Sequence, residues 1–442
     1  MNIDVPNNPV VPAQLSGEER MAKSEKRLCI IGSGPAGCYA AEFLLKLLPE
    51  VQIDIIERLP VPFGLIRYGV APDHQSTKNA VRVLDRTLSN KRVRFFGNVE
   101  VGYDVTLNEL RSMYHAVVLA TGAPYDRRLG IPGEELPGVI GSGAFVSWYN
   151  GHPLRTVPHL NDVRSALVIG NGNVALDVTR ILAKGAEELK GSDLPADVFD
   201  ALQSQRIEHI HIVGRRGASE ARFSPHELEE LGTLQRARPL VRDPASLAGD
   251  TAVENILRQF AEDSRGGMPV SIHFHFSLTP VAFAGEERLQ AVRFRSAAGQ
   301  ECGIEAQLAV TCIGYEAVAC CTATPTNGIF ANEDGKIADG LYVVGWAKRG
   351  PSGTIPTNRT EAQQVAQKIA AEIAEGGPHP GPDLAGLLRS RGLNWVDYSA
   401  WKQIEATEKA GANEDRCLLK LLRVEDMLRV AGLAVETEVQ EI

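Results

Sequence analysis

Two glycine-rich turns carry the chemistry most legible in this chain. The first, Gly32-Ser33-Gly34-Pro35-Ala36-Gly37, directly follows the apolar run LCII. Glycines at this spacing allow a tight strand-to-helix turn and bring bare backbone N–H groups against a pyrophosphate at a helix N-terminus. Alone the pattern is weak, but Glu57 closes the next apolar run at the spacing of about twenty residues that the fingerprint requires. A carboxylate there accepts hydrogen bonds from ribose hydroxyls and repels a 2′-phosphate, so the turn suits FAD or NAD. The second turn, Gly170-Asn171-Gly172-Asn173-Val174-Ala175, follows SALVI, with alanine at a position that asks only for close helix packing. The next apolar run, HIHIV, leads not to an acid but to Arg215 and Arg216. Guanidinium groups grip a 2′-phosphate through charge-assisted, bidentate hydrogen bonds, so this turn suits NADPH. The charged segment 184–206 that lengthens the spacing is expected to be a helical insertion.

Other residue groups leave alternatives open. Gly345-Trp346 and Arg349 through Asn358 read as strand, glycine turn and helix, with backbone N–H groups placed to support negative charge on a reduced flavin. Trp346 reads equally well as a cofactor contact or a core residue. Pro62–His74 is rich in turn residues and holds one histidine, a type more often structural than catalytic. The seven cysteines include no C-x-x-C pair, so neither a zinc ribbon nor a dithiol redox pair is encoded, and no metal site is expected. Cys320 and Cys321 are adjacent and read as unpaired thiols beside a loop. The odd total of seven cysteines suits reduced thiols and a cytoplasmic location.

These turns must be held by alternating strands and helices. Runs at Leu28–Gly32, Val51–Glu57 and Ala116–Gly122 suit central strands of a parallel sheet, and a second series starts at Ser165–Gly170. Between them LGIPGEELPGVIGSG reads as connection. LYVVG at Leu341–Gly345, with a helix from Glu361 to about Glu375, is placed to return to the first domain. The expectation is an α/β fold with two Rossmann-like dinucleotide-binding domains, the FAD domain discontinuous: 25–123 with 340–442, enclosing an NADP domain at 124–339. Residues 1–24 read as a mobile tail without the apolar core of a signal peptide. With 442 residues, 44% hydrophobic, 23% charged and a net charge of -9, the chain has length for several cores. That charge argues against non-specific nucleic-acid binding, and no apolar run reaches membrane-spanning length.

The strings FGLIRYGVAPDH, FFGNVEVG, GNGNVALDVTRIL, HIVGRRG and GWAKRGPSGTIPTNRTEA closely resemble the adrenodoxin-reductase type of ferredoxin–NADP(+) reductase. The resemblance runs from about Arg27 to Glu372. It implies a flavoprotein that passes electrons from NADPH through FAD to a small ferredoxin-type iron–sulfur protein. It implies FAD contacts at Ala36, Glu57, Leu65, Val101, Trp346, Gly353, Thr354 and Ile355. NADPH contacts are implied at Asn171, Gly172, Asn173, Val174, Arg215, Arg216 and Glu227. His74 and Asp177 match polar residues near the flavin and would position the nicotinamide or manage protons. Arg236, Arg238 and Arg242, or Lys91, Arg92 and Arg94, are candidate docking clusters for an acidic partner. Three readings compete. A disulfide reductase would need a cysteine pair beside the flavin. A glutamate-synthase small-subunit-like module, or another NADPH-dependent FAD oxidoreductase, would use a different acceptor. A flavin-binding regulator would have no turnover.

Overall fold

The computed structural model describes residues 26–241, 247, 249–317, 319, 324–374 and 381–434. The expected tail, Arg242, Cys320 and Cys321 lie outside them. Strands β1 (Arg27–Ile31), β2 (Gln52–Glu57), β3 (Val93–Gly97) and β4 (Ala116–Leu119) build the first sheet. The crossover follows through β5 (Tyr125–Asp126) and β6 (Val139–Gly141). Then come β7 (Ser165–Ile169), β8 (His209–Val213), β9 (Ala237–Val241) and β10 (Val270–His275). A meander of β11 (Leu278–Ala284), β12 (Ala291–Ser296) and β13 (Glu301–Glu305) precedes β14 (Leu308–Thr311) and β15 (Tyr315–Glu316). The chain ends its strands with β16 (Lys336–Ala338) and β17 (Leu341–Val343).

The first sheet runs β16-β17-β4-β1-β2-β3 and the second β6-β14-β7-β8-β10-β9. Central strands are parallel, with Ile30 beside both Ile55 and Val118, and Val168 beside both Ile212 and Val310. Their side chains are buried on both faces, which is why LCII and SALVI read as unbroken apolar runs. β17 rejoins β4 in parallel, so the first domain is discontinuous as the sequence implied. The helix Ile355–Ala374 then packs along the helix Pro35–Leu47. The meander covers the second sheet, where Phe283, Val292 and Phe294 meet Leu167, Ile169 and Val213. The two crossover segments pair with each other, β5 against β15.

Several local expectations are corrected. LGIPGEELPGVIGSG is not only connection, because Val139–Gly141 forms the edge strand β6 on β14. The returning helix starts at Ile355, six residues before Glu361, with Pro356 in its first turn where a missing N–H costs nothing. Trp346 opens a four-residue helix, Trp346–Arg349, instead of a turn. The insertion is helical as expected, with two short helices, Ala186–Leu189 and Ala196–Ser204. The C-terminal segment forms helices Leu384–Ser390, Tyr398–Ala410 and Val424–Val430. It straps the domains together: Glu408 pairs with buried Arg67 at 2.5 Å, and Lys420 meets Asp193 at 2.8 Å. Lys78 joins that carboxylate at 2.8 Å. Alternation on β8 and β10 also places His209, His211, His273 and His275 on one face, with Nδ1 of His211 3.0 Å from Nε2 of His275.

Candidate active site at two nucleotide cradles and the seam between them

The two glycine turns are built alike. Gly32 has φ +108°, and a Cβ there would stand 2.4 Å from the Ala120 carbonyl oxygen; at Gly170, φ +143°, it would stand 2.2 Å from that of Cys312. Each first glycine therefore lets its turn lie against the neighbouring strand. The middle glycines differ in kind. A Cβ on Gly34 or Gly172 would meet nothing within 4 Å, although each is the N-cap of a helix with no side-chain cap. The helix N-termini Pro35–Leu47 and Asn173–Ala183 thus present uncapped N–H groups to open space, the arrangement that receives a phosphate.

Around the first cradle, Glu57 accepts hydrogen bonds from Ser33, at 2.7 Å from the hydroxyl and 3.1 Å from the backbone N–H. Phe63 holds a left-handed backbone, φ 82°, and the following Gly64 approaches so closely that its Cβ would be 3.3 Å from the Gly34 Cα. That strain, costly for a bulky residue, brings Leu65 beside the turn, where it is 46% exposed despite being apolar. A Cβ on Gly345 would lie 2.6 Å from that of Ala36, so the returning strand seats Trp346 over the helix. The Trp346 ring stacks on Tyr315 from the second domain at 5.6 Å and 13°. Gly353 is left-handed, and the Thr354 N–H donates to Thr357 Oγ1 at 3.1 Å ahead of Ile355. Gly37 packs tightly under the turn. Val101, in the loop after β3, is bridged to Val105 and packs against the cluster that holds Ile31, Phe96 and Ala347.

At the second cradle, Arg222 donates its backbone N–H to the Asn171 carbonyl at 2.7 Å, and Asn173 accepts from Ser224 at 2.8 Å. Val174 follows in the helix's first turn. Arg215 and Arg216 are exposed at the end of β8, with Arg216 Nε 3.8 Å from a Glu220 carboxylate oxygen. Buried Thr121 Oγ1 and Asn171 Oδ1, one near each cradle, have no hydrogen-bond partner. A polar ligand or ordered water can satisfy such atoms.

Between the cradles the domains meet in a charged seam. Arg180, buried and on the helix of the second turn, reaches Asp73 at 2.8 Å, Asp177 at 2.7 Å and Glu227 at 3.4 Å. His74 lies 3.0 Å from Glu230, 3.7 Å from Glu227 and 3.9 Å from Asp177. The structure therefore joins His74, Asp177 and Glu227, of which His74 lies about a hundred residues or more from the other two in sequence. Burial raises the Asp177 carboxyl to about 6 against the lowering influence of Arg180, while neighbouring Glu227 adds to the rise. Asp73 is held well below the usual range: Arg180 and Lys184 overcome its burial. Arg180, Glu230 and Tyr315 were not found from sequence, because their partners lie on separate elements and no local pattern marks them. The Arg349–Glu361 pair, at 2.9 Å, which also anchors the Gly345 N–H, was equally silent.

The docking clusters are largely committed to structure. Arg92 donates to the carbonyls of Leu45, Leu48 and Pro49 at a helix end. Arg94 pairs with Asp54 and Asp383, and Arg238 donates to the Arg265 carbonyl. Among the described cysteines none is paired with another; Cys29 and Cys38 are buried, and burial pushes the thiols of Cys38 and Cys312 far up.

Two cradles on two parallel sheets, one sheet interrupted by the other domain, define a two-dinucleotide flavoprotein architecture. The pyridine nucleotide-disulphide oxidoreductases match residues 26–368, and the chain belongs to this family. Within it the chain is closely related to the adrenodoxin-reductase and FprA type. NADPH:adrenodoxin oxidoreductase of Homo sapiens is 37% identical over 455 residues, 92% of each chain. NADPH-ferredoxin reductase FprA of Mycobacterium tuberculosis is 37% identical over 456 residues, 91% of this chain and 98% of its own. The solved structure of that FprA in complex with NADPH superposes with a TM-score of 0.87 at 34% identity, covering 92% of this chain and 99% of the other. No helix among the described residues is long and apolar enough to cross a membrane.

Proposed function

We propose that this chain is an NADPH-dependent FAD oxidoreductase that delivers electrons to a small ferredoxin-type iron–sulfur protein. The observation that carries it is the pair of matched cradles with unmatched neighbours, Glu57 at one and Arg215 with Arg216 at the other. Gly34 and the Pro35 helix start would hold the FAD pyrophosphate, Glu57 its ribose, and Leu65, Val101, Trp346 and Gly353–Ile355 its remainder. Gly172, Asn171, Asn173 and Val174 hold NADPH, whose 2′-phosphate the two arginines select. Bound FAD supplies the chemistry that links a two-electron hydride donor to a one-electron carrier. The chain's own work is positional. Trp346 and Tyr315 close the site from opposite domains and exclude water. Arg180 holds Asp177 and His74 in register across the seam, and that pair accepts or releases the proton that accompanies reduction.

We place the domain boundaries near 124 and just before β16 at Lys336, which joins the first sheet, and the protein in the cytoplasm. NADPH-driven reduction of small ferredoxins, followed by loss of their visible absorbance, tests the acceptor. Rates that fall with ionic strength support charge-guided docking. Reduction of no ferredoxin, with turnover on another acceptor, would favour the other NADPH-dependent FAD oxidoreductases.

A further inference from the structure

The seam has a charge imbalance, and beside His74 it holds two carboxylates, Glu227 and Glu230, to which the proposed reaction gives no part. Four carboxylates, Asp73, Asp177, Glu227 and Glu230, surround two cations, Arg180 and Lys184. Glu227 and Glu230 face both Arg180, at 3.4 and 3.5 Å, and His74. The donor atoms of His74, Glu227 and Glu230 all lie within 4.8 Å of one another. The His74 Nε2 is 3.0 Å from one oxygen of Glu230 and 3.7 Å from Glu227. Those separations bracket the roughly 3.3–3.5 Å between ligand atoms bound tetrahedrally at about 2.0–2.2 Å. Exposed His226 stands one helical turn before Glu230, with its Nε2 3.6 Å from the other carboxylate oxygen. His226 and Glu230 thus share a helix face, and Glu230 lies between two imidazoles.

We propose that His74, Glu227 and Glu230, completed by His226 or water, bind a borderline divalent cation such as Zn²⁺ at the domain seam, and that this ion inhibits reduction by NADPH. Mixed imidazole and carboxylate donors select zinc-like ions over magnesium or calcium. Arg180 donates toward His74 Nδ1 at 3.4 Å, so the neutral ring carries its proton on Nε2, toward Glu230. Binding the ion to the neutral ring releases no net proton: Nε2 becomes the ligand, the ring proton moves to Nδ1, which faces Asp177 Oδ1 at 3.9 Å, and the Arg180 contact to Nδ1 is given up. The ion also ties the His74 segment of one domain to the Pro225–Gly232 helix of the other.

The inhibitory half rests on the NADPH-reductase reading, whereas metal binding does not. Zn²⁺ is titrated calorimetrically into the FAD-loaded enzyme, and Co²⁺ is added as a visible-absorbance probe. One site is expected, weakened about tenfold or more by Glu230→Gln and less by His226→Gln. Flavin content and melting temperature of each variant show whether it is folded, and exposed His226 provides the variant least able to disturb the fold. Zn²⁺ should slow flavin reduction in the parent and less so in Glu230→Gln. Absence of a Zn²⁺ site, or equal affinity in both folded variants and the parent, would overturn the assignment. An enzyme inert to NADPH that still binds Zn²⁺ at these residues would overturn the inhibitory half while leaving the site.

Discussion

Glu57, Arg215 and Arg216 divide two nearly identical turns between two nucleotides. Each charge-assisted contact to a phosphate contributes about 1.5–3 kcal/mol, so Arg216→Ala should raise the KM for NADPH roughly tenfold to a hundredfold and leave that for NADH almost unchanged. A parallel rise for both nucleotides would show that the side chain acts on the fold. Asp177, raised to about 6, predicts a bend near that pH in the rate of flavin reduction, removed in Asp177→Asn. The sign of its effect on stability is fixed as well. The folded protein holds this proton between the ordinary carboxyl range and pH 6, so the group's contribution falls as pH rises through that window. Glu57, Arg215 and Arg216 were legible because each closes or follows an apolar run after a glycine turn, whereas Asp177 was named through the family resemblance. Arg180 was not legible: GNGNVALDVTRIL shows an arginine on a helix, but its partners Asp73 and Glu230 come from elsewhere in the chain.

At the scale of elements, the glycines separate structural from ligand roles. Gly34→Ala and Gly172→Ala add a methyl group that meets no protein atom. The first should lose FAD and the second should weaken NADPH with FAD retained, while circular dichroism and the folded core stay intact. Gly32→Ala and Gly170→Ala instead strike a backbone carbonyl from a left-handed conformation, and should reduce soluble, folded protein. If all four behave alike, the distinction fails. Parallel strands were readable from their apolar runs, since burial on both faces leaves no alternation to confuse them. β6 was missed because its three residues sit among prolines and glycines. The start of the helix at Ile355 was missed because GTIPTN has turn composition, although proline is well tolerated in a first helical turn.

At the scale of the molecule, the C-terminal helices hold the two domains at a fixed spacing. Asp193 from the second domain is buried between Lys78 of the first and Lys420 of the C-terminal segment, and burial beside Lys420 lowers Lys78 to about 7. Asp193→Ala leaves two buried ammonium groups without their counter-charge and should cost about 3–5 kcal/mol, read as a lower denaturant midpoint. A change below about 0.5 kcal/mol would mean that the strap does not secure the domains. The sequence announced a discontinuous first domain through LYVVG and its helix, but not this strap, whose charges come from three distant segments. The central claim, that one cradle holds FAD and the other selects NADPH by its 2′-phosphate, is tested most directly by anaerobic stopped-flow bleaching of the flavin. NADPH should reduce it at low micromolar concentrations where NADH scarcely does; equal efficiency with both nucleotides would contradict the account.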